Sequence, residues 1–218
     1  MVDLHMHTLF SDGELLPSEL VRRAKSKGLR FIAITDHIDH SNYKNVVPKI
    51  VEFVEKISEV ENEIVVIPGA ELTHVPPKLI EELTVKVREL GAKLVLLHGE
   101  TIVEPVEPGT NIAGIKAKVD ILAHPGLISE REVELAREMG VMLEVSGRKG
   151  HSLTNGHVVR LAEKYGAKLS FGSDSHSPSD IPTPEMVERI LLGSGLSAER
   201  VKEIISGLTN LCKKLTGG

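Results

Sequence analysis

Tyr165-Gly166-Ala167-Lys168-Leu169-Ser170-Phe171-Gly172-Ser173-Asp174-Ser175-His176 runs from the end of one helix, through an apolar strand, to a pair of side chains that can bind metal. The glycine that follows the helical stretch His157–Tyr165 suits the left-handed conformation in which helices commonly end. The same unit of helix, glycine and buried strand recurs in Lys27-Gly28-Leu29-Arg30-Phe31 and in Leu90-Gly91-Ala92-Lys93-Leu94. Outward from these stretches, short apolar runs predict strands at Val2–His7, Phe31–His37, Ile64–Leu72, Lys93–Gly99, Val119–Pro125, Val141–Gly147 and Lys168–His176. Their nearly continuous Val, Ile and Leu content is that of strands buried on both faces. Pro17–Lys27 and Pro77–Leu90 open on a proline suited to a first helical turn, and Ser129 and Glu132 have the spacing of a capping box before a helix that Gly140 ends. Alternating strands and helices imply α/β architecture, a parallel sheet with helices outside. Seven strands favour a closed or nearly closed barrel, with an open doubly wound sheet as the alternative. No linker or composition break divides the chain, so a single domain over residues 1–218 is expected, with 183–218 forming two C-terminal helices.

In barrels of this kind chemistry collects at the C-terminal strand ends. Here those ends read His5 and His7, Asp36 and His37, Glu71, His98, His124, Glu144, and Asp174 with His176. A buried apolar strand has no structural need for such residues. His5-Met6-His7 and Asp174-Ser175-His176 each place two ligand-type side chains on one face of a strand, where residues two apart point the same way. Imidazole and carboxylate together suit Zn, Mn or Fe. A lone strand-end histidine is more often a hydrogen-bonded surface residue. Six of the ten histidines at strand ends exceed what accident supplies. His40, His74, His151 and His157 read instead as solvated loop or helix-start histidines, with His74 and His151 near enough to line the mouth of a site.

Composition narrows the function. Twenty-six Lys and Arg against 31 Asp and Glu give a net charge of −5, and no basic stripe stands out, so nucleic-acid binding is not favoured. The single cysteine, Cys212, forms no internal disulfide and reads as a packed thiol in a reducing compartment. The N-terminus lacks a signal-peptide pattern, and no apolar run reaches transmembrane length, so a cytoplasmic protein without membrane contact is expected.

His5-Met6-His7-Thr8 with Ser11-Asp12-Gly13, Thr35-Asp36-His37, Gly69-Ala70-Glu71, Ala123-His124-Pro125 and Gly172-Ser173-Asp174-Ser175-His176 together resemble the PHP (polymerase and histidinol phosphatase) family. The resemblance spans residues 1 to 180 and implies a distorted (βα)7 TIM-like barrel holding two or three divalent metals. It implies that His5, His7, Glu71 and Asp174 hold one metal, that Glu71 bridges to a second held by His98 and His124, and that Asp12, His37 and His176 surround a third. Asp12 stands where relatives carry histidine, which leaves the third position the least defined. The implied activity is hydrolysis of a phosphate ester by a metal-activated water, with no protein nucleophile.

A small phosphomonoester is the leading substrate class, with histidinol phosphate as an example. A phosphodiester or oligonucleotide is the alternative, and a non-catalytic binding module the third reading, which the full ligand set opposes. Arg148 and Lys149 follow strand six on the same rim, where they can grip phosphate oxygens. Glu144 and Glu100 are further candidates for substrate contact, with a structural salt bridge as the competing role. The connection Gly99–Ile115, which contains Glu104, Pro105, Glu107 and Pro108, is long for this architecture and reads as a loop over the site.

Overall fold

Seven buried runs do become a ring of parallel strands. In the computed structural model, which describes residues 1–217, the strands are β1 (Val2–Asp3), β2 (Phe31–Ile34), β3 (His37–Ile38), β4 (Val65–Leu72), β5 (Leu94–His98), β6 (Ile121–Ala123), β7 (Met142–Ser146) and β8 (Leu169–Gly172). The pairing order is β1-β2-β4-β5-β6-β7-β8, parallel throughout. β2 pairs Phe31 with Val65, and β3 pairs His37 with Glu71, both along β4. The two segments are therefore one strand position, interrupted at Thr35-Asp36. β1 closes the ring towards β8 through Leu4 N donating to Phe171 O, Asp174 N to His5 O and His7 N to Ser175 O. The result is a nearly closed TIM-like barrel, as the alternation of elements implied.

The helices α1 (Pro17–Ser26), α2 (Tyr43–Ser58), α3 (Ile80–Glu89), α4 (Thr110–Lys116), α5 (Glu130–Met139), α6 (Asn155–Tyr165), α7 (Pro184–Gly193) and α8 (Ala198–Thr216) accompany the strands. Local chemistry sets their ends. Pro17 sits in the first turn of α1. Ser129 and Glu132 form both bonds of the capping box at α5, and Gly140 ends that helix at φ 78°. The apolar faces of the helices join the strands in one core that includes Leu4, Ile32, Ile67, Leu96, Leu122, Leu143 and Phe171. α8 packs against β1, β4 and β8, burying Ile204, Leu208 and Cys212. No helix among the described residues is long and apolar enough to cross a membrane.

Three departures from the sequence reading lie at strand ends, and the last two share a cause. The strands expected to run to His7, Pro125 and His176 stop earlier, at Asp3, Ala123 and Gly172. His124 and Asp174 adopt positive φ, 27° and 54°, which L side chains rarely do. The backbone leaves the ladder at the point where it must aim these side chains into the barrel mouth, and such strain gathers at functional sites. The fourth departure is in the long β5–α4 connection, where residues from Thr110 onward are helix α4. The irregular part is confined to 99–109.

Candidate metal centre

Glu71 ends β4 at the centre of the barrel mouth, fully buried. Its Oε2 lies 3.2 Å from His5 Nε2, 3.6 Å from His7 Nε2 and 2.7 Å from His37 Nδ1. Its Oε1 lies 3.5 Å from His98 Nδ1 and 3.4 Å from His124 Nε2. Asp174 Oδ1 stands 3.2 Å from His7 Nε2 and 3.8 Å from His5 Nε2. To one side, Asp12 Oδ1 faces His176 Nε2 at 3.1 Å and His37 Nε2 at 3.5 Å. All nine residues named as metal ligands from the sequence thus converge.

Two observations test whether these residues suit metal. His5 Nε2, both ring nitrogens of His7 and of His124, Glu71 Oε1 and Asp174 Oδ1 are buried without a hydrogen-bond partner. Orphaned polar atoms at this density are costly unless something binds them. Several separations also exceed the hydrogen-bond range and match the edge of a coordination tetrahedron, roughly 3.4 Å for arms of 2.0–2.1 Å. The donor set of imidazoles and carboxylates therefore fits Zn, Mn or Fe.

The electrostatics agree. Burial opposes a charge on Glu71, yet His5 and His37 beside it hold its carboxyl well below the usual range. Burial and the neighbouring His37 push His7 down to about 3. Burial works against a charge on His98, but Glu104 and Glu71 outweigh it and raise that imidazole to about 9. Side chains so close together and shifted in opposite directions mark a functional site.

Supporting residues fix these orientations. Glu144 Oε1 lies 2.7 Å from His5 Nδ1, and its Oε2 accepts the His124 amide at 3.1 Å. Gly172 makes room, since a Cβ there would lie 2.1 Å from Glu144 Oε1 and 2.4 Å from His5 Cβ. Asp36 turns away from the cluster and accepts bonds from Thr8 N, Thr8 Oγ1 and Ser11 Oγ, which hold the loop that bears Asp12.

The proposed substrate contacts divide. Glu144 is 1% exposed, with one oxygen against His5 Nδ1 and the other accepting the His124 amide. Glu100 Oε1 accepts from Gly109 N and Asn111 N, so it ties the 99–109 loop to the start of α4. Arg148 is not a solvated loop charge: Nη1 donates to Asp174 O at 3.0 Å and meets His176 Nδ1 at 2.7 Å, and Nε lies 3.5 Å from Asp174 Oδ2. It stands between a cavity of ≈ 220 Å³ over the cluster and a larger one of ≈ 790 Å³ beside it. Lys149 is exposed on the wall of the larger cavity.

Two residues outside the nine lie closer to the cluster than the sequence reading placed them. His151, expected in solvent, is 3% exposed and stacks on His124 with centroids 4.1 Å apart. Glu104, on the 99–109 loop, reaches His98 Nε2 at 3.1 Å and His151 Nε2 at 3.4 Å. His74, at φ 51°, adds a contact to Glu104 at 3.5 Å. The prior signals were the length of the loop and the expected place of His74 and His151 at the mouth of the site.

A TIM-like barrel with nine ligand-type side chains gathered at its mouth defines a metal-dependent hydrolase. The family model for the PHP domain matches residues 3–177, and the chain belongs to that family. An uncharacterized protein of Methanocaldococcus jannaschii is 45% identical over 93% of this chain and 94% of its own length. A probable phosphatase of Thermoanaerobacter sp. (strain X514) is 27% identical over 92% of this chain and 89% of its own length. Among solved structures, histidinol phosphate phosphatase of Lactococcus lactis, complexed with zinc, L-histidinol and phosphate, aligns with a TM-score of 0.62 at 16% identity, covering 90% of this chain and 94% of that one. A chain of archaeal ribonuclease P with mature tRNA aligns with a TM-score of 0.72 at 16% identity, covering 97% and 90%. Both structural likenesses are of fold alone.

Proposed function

We propose that this chain hydrolyses a small phosphomonoester at a cluster of two or three divalent metals. The observation that carries the reading is Glu71, whose two oxygens face two separate sets of histidines. His5, His7, Glu71 and Asp174 would hold one ion, Glu71, His98 and His124 a second, and Asp12, His37 and His176 a third. Bound metals would lower the pKa of a water towards about 7 and offset charge on the phosphoryl oxygens. The chain's own residues do the rest. Arg148, braced on Asp174 and His176, presents the free edge of its guanidinium to phosphate oxygens. The larger cavity beside it has room for a leaving group. Glu144 keeps the His5 ring aimed at the cluster.

Relatives named probable phosphatase support hydrolysis of phosphate esters. Histidinol phosphate is the first natural compound to assay, given the fold neighbour that was solved with L-histidinol and phosphate. A monoester dianion gains more than a diester monoanion from positive charge at the Asp12 side of the cluster. Asp12 faces His37 and His176 there, so Asp12→Asn perturbs that side of the cluster. The matched p-nitrophenyl monoester and diester, assayed with Zn, Mn and Fe supplied separately, test the reading. The wild type should prefer the monoester, and Asp12→Asn should narrow the preference. A wild-type preference for the diester would transfer the assignment to a phosphodiesterase or exonuclease.

A further inference from the structure

The 99–109 loop touches one half of the cluster at several points. Glu104 Oε2 lies 3.1 Å from His98 Nε2, on the far side of the ring from the Nδ1 that faces Glu71. Its Oε1 lies 3.4 Å from His151 Nε2. Thr101 of the same loop meets the other nitrogen of that ring, Nδ1, at 2.7 Å. His151 in turn stacks on His124, with planes 17° apart. One loop thus braces both histidines that face Glu71 Oε1, His98 directly and His124 through His151. Neither the sequence motifs nor the nine-residue ligand set includes Glu104, Thr101 or His151.

An imidazole that binds metal through one nitrogen is commonly oriented by a carboxylate on the other. Glu144 stands in that relation to His5, and it is buried on β7. Glu104 stands in the same relation to His98, but it is half-buried on an irregular segment, between the exposed side chains of Ile102, Val103 and Pro105. Its short contact with His98 Nε2 is also not aligned as a hydrogen bond. A support of this kind has freedom that the strand-borne one lacks.

We propose that Glu104 is a positioning residue for the metal position formed by Glu71, His98 and His124, and that the 99–109 loop thereby sets how tightly that position alone holds its ion. The inference rests on the metal-dependent reading above. It makes this ion the more readily exchanged of the pair that shares Glu71, and it ties the exchange to the placement of the loop.

The test is release of zinc from the zinc-loaded full chain to a colorimetric chelator, with the wild type, Glu104→Ala and Glu104→Gln compared. In Glu104→Ala one equivalent should pass to the chelator at about 10–100-fold lower chelator concentration, the usual range for loss of an orienting partner. The remaining zinc should be released as in the wild type. Glu104→Gln keeps the shape and an acceptor oxygen, so it should recover part of the affinity. The metal-free wild type and Glu104→Ala should melt together, which a merely structural role for Glu104 does not predict. Superimposed release curves, or an equal shift of every equivalent, would overturn the proposal. A wild type that binds no zinc would instead refute the metal-dependent reading itself, and the proposal with it.

Discussion

Glu71 divides the cluster into two halves that are held in different ways. Its Oε2 faces His5 and His7 beside β1, and the carboxylate that orients His5 is Glu144, buried on β7. Its Oε1 faces His98 and His124 at the ends of β5 and β6, but the groups that brace those rings, Glu104 and His151, come from the connections after β5 and β7. The carboxylate that orients His5 in the first half is thus carried by a strand. The rings of the second are braced from loops, with Glu144 holding the His124 amide alone. Sites built on strands are held more precisely than sites built on loops, so the two halves should differ in rigidity although their ligand chemistry is alike.

The largest effect should come from the group the halves share. Glu71→Gln keeps the side chain's shape and removes the charge that both need. Zinc content should fall in both halves, and turnover by more than about 100-fold, beyond the range for an orienting residue. Loss from one half alone, counted by elemental analysis, would break the symmetry assigned to Glu71. A smaller effect should follow from Glu144→Gln, which weakens the side-chain support of His5 and can keep an acceptor oxygen for the His124 amide. Zinc titration should show one position weakened by about 10–100-fold, while the second position still responds to Glu104→Ala. If Glu144→Gln and Glu104→Ala weaken the same equivalent, the division into strand-borne and loop-borne halves is wrong.

The smallest effect belongs to Cys212, which α8 buries at the opposite end of the barrel. Burial pushes its thiol up to about 12. The native protein should therefore resist thiol reagents at pH values where an ordinary thiol, with a pKa of about 8.5, ionises, and should label quickly once denatured. Because the folded state favours the protonated thiol, its contribution to stability is present below the ordinary thiol pKa and is lost as pH rises towards 12. Cys212→Ala should leave zinc release in both halves unchanged, and a shift in either would show that the two ends of the barrel are coupled.

The strand-borne half was the more legible in the sequence. Strands buried on both faces read as apolar runs, and a histidine or carboxylate that ends such a run stands out against them. His5, His7, Glu71 and Asp174 were visible for that reason. Glu144 was visible as well, but residue type and position at a strand end do not reveal that His5 Nδ1 and the His124 amide use up its oxygens. The supports of the other half were hidden. His151 lies in a short 3-10 turn that resembles any solvated loop. Its burial arises from Thr101 and His124, which are distant in the chain. Glu104 sits in a segment with no period to place it, so only folded coordinates bring it to His98. The early ends of β6 and β8 were equally hidden, because positive φ at His124 and Asp174 leaves no mark in composition.

The joint between the first and last strands has a consequence for how this molecule is completed. It is thin, with Leu4, His7 and Asp174 donating the backbone bonds across it. The side chains of His5 and His7 stand on one side of it, and those of Asp174 and His176 on the other. An ion gripped by both sides would act as a buckle on a belt, since part of its binding energy becomes energy of ring closure. The two ends of that belt are far apart in sequence, and contacts of that kind form late because the chain between them must first be ordered. On the proposed reading, the place where a water would be activated would then also fasten the barrel. Damage there would register as a looser ring as well as a slower enzyme.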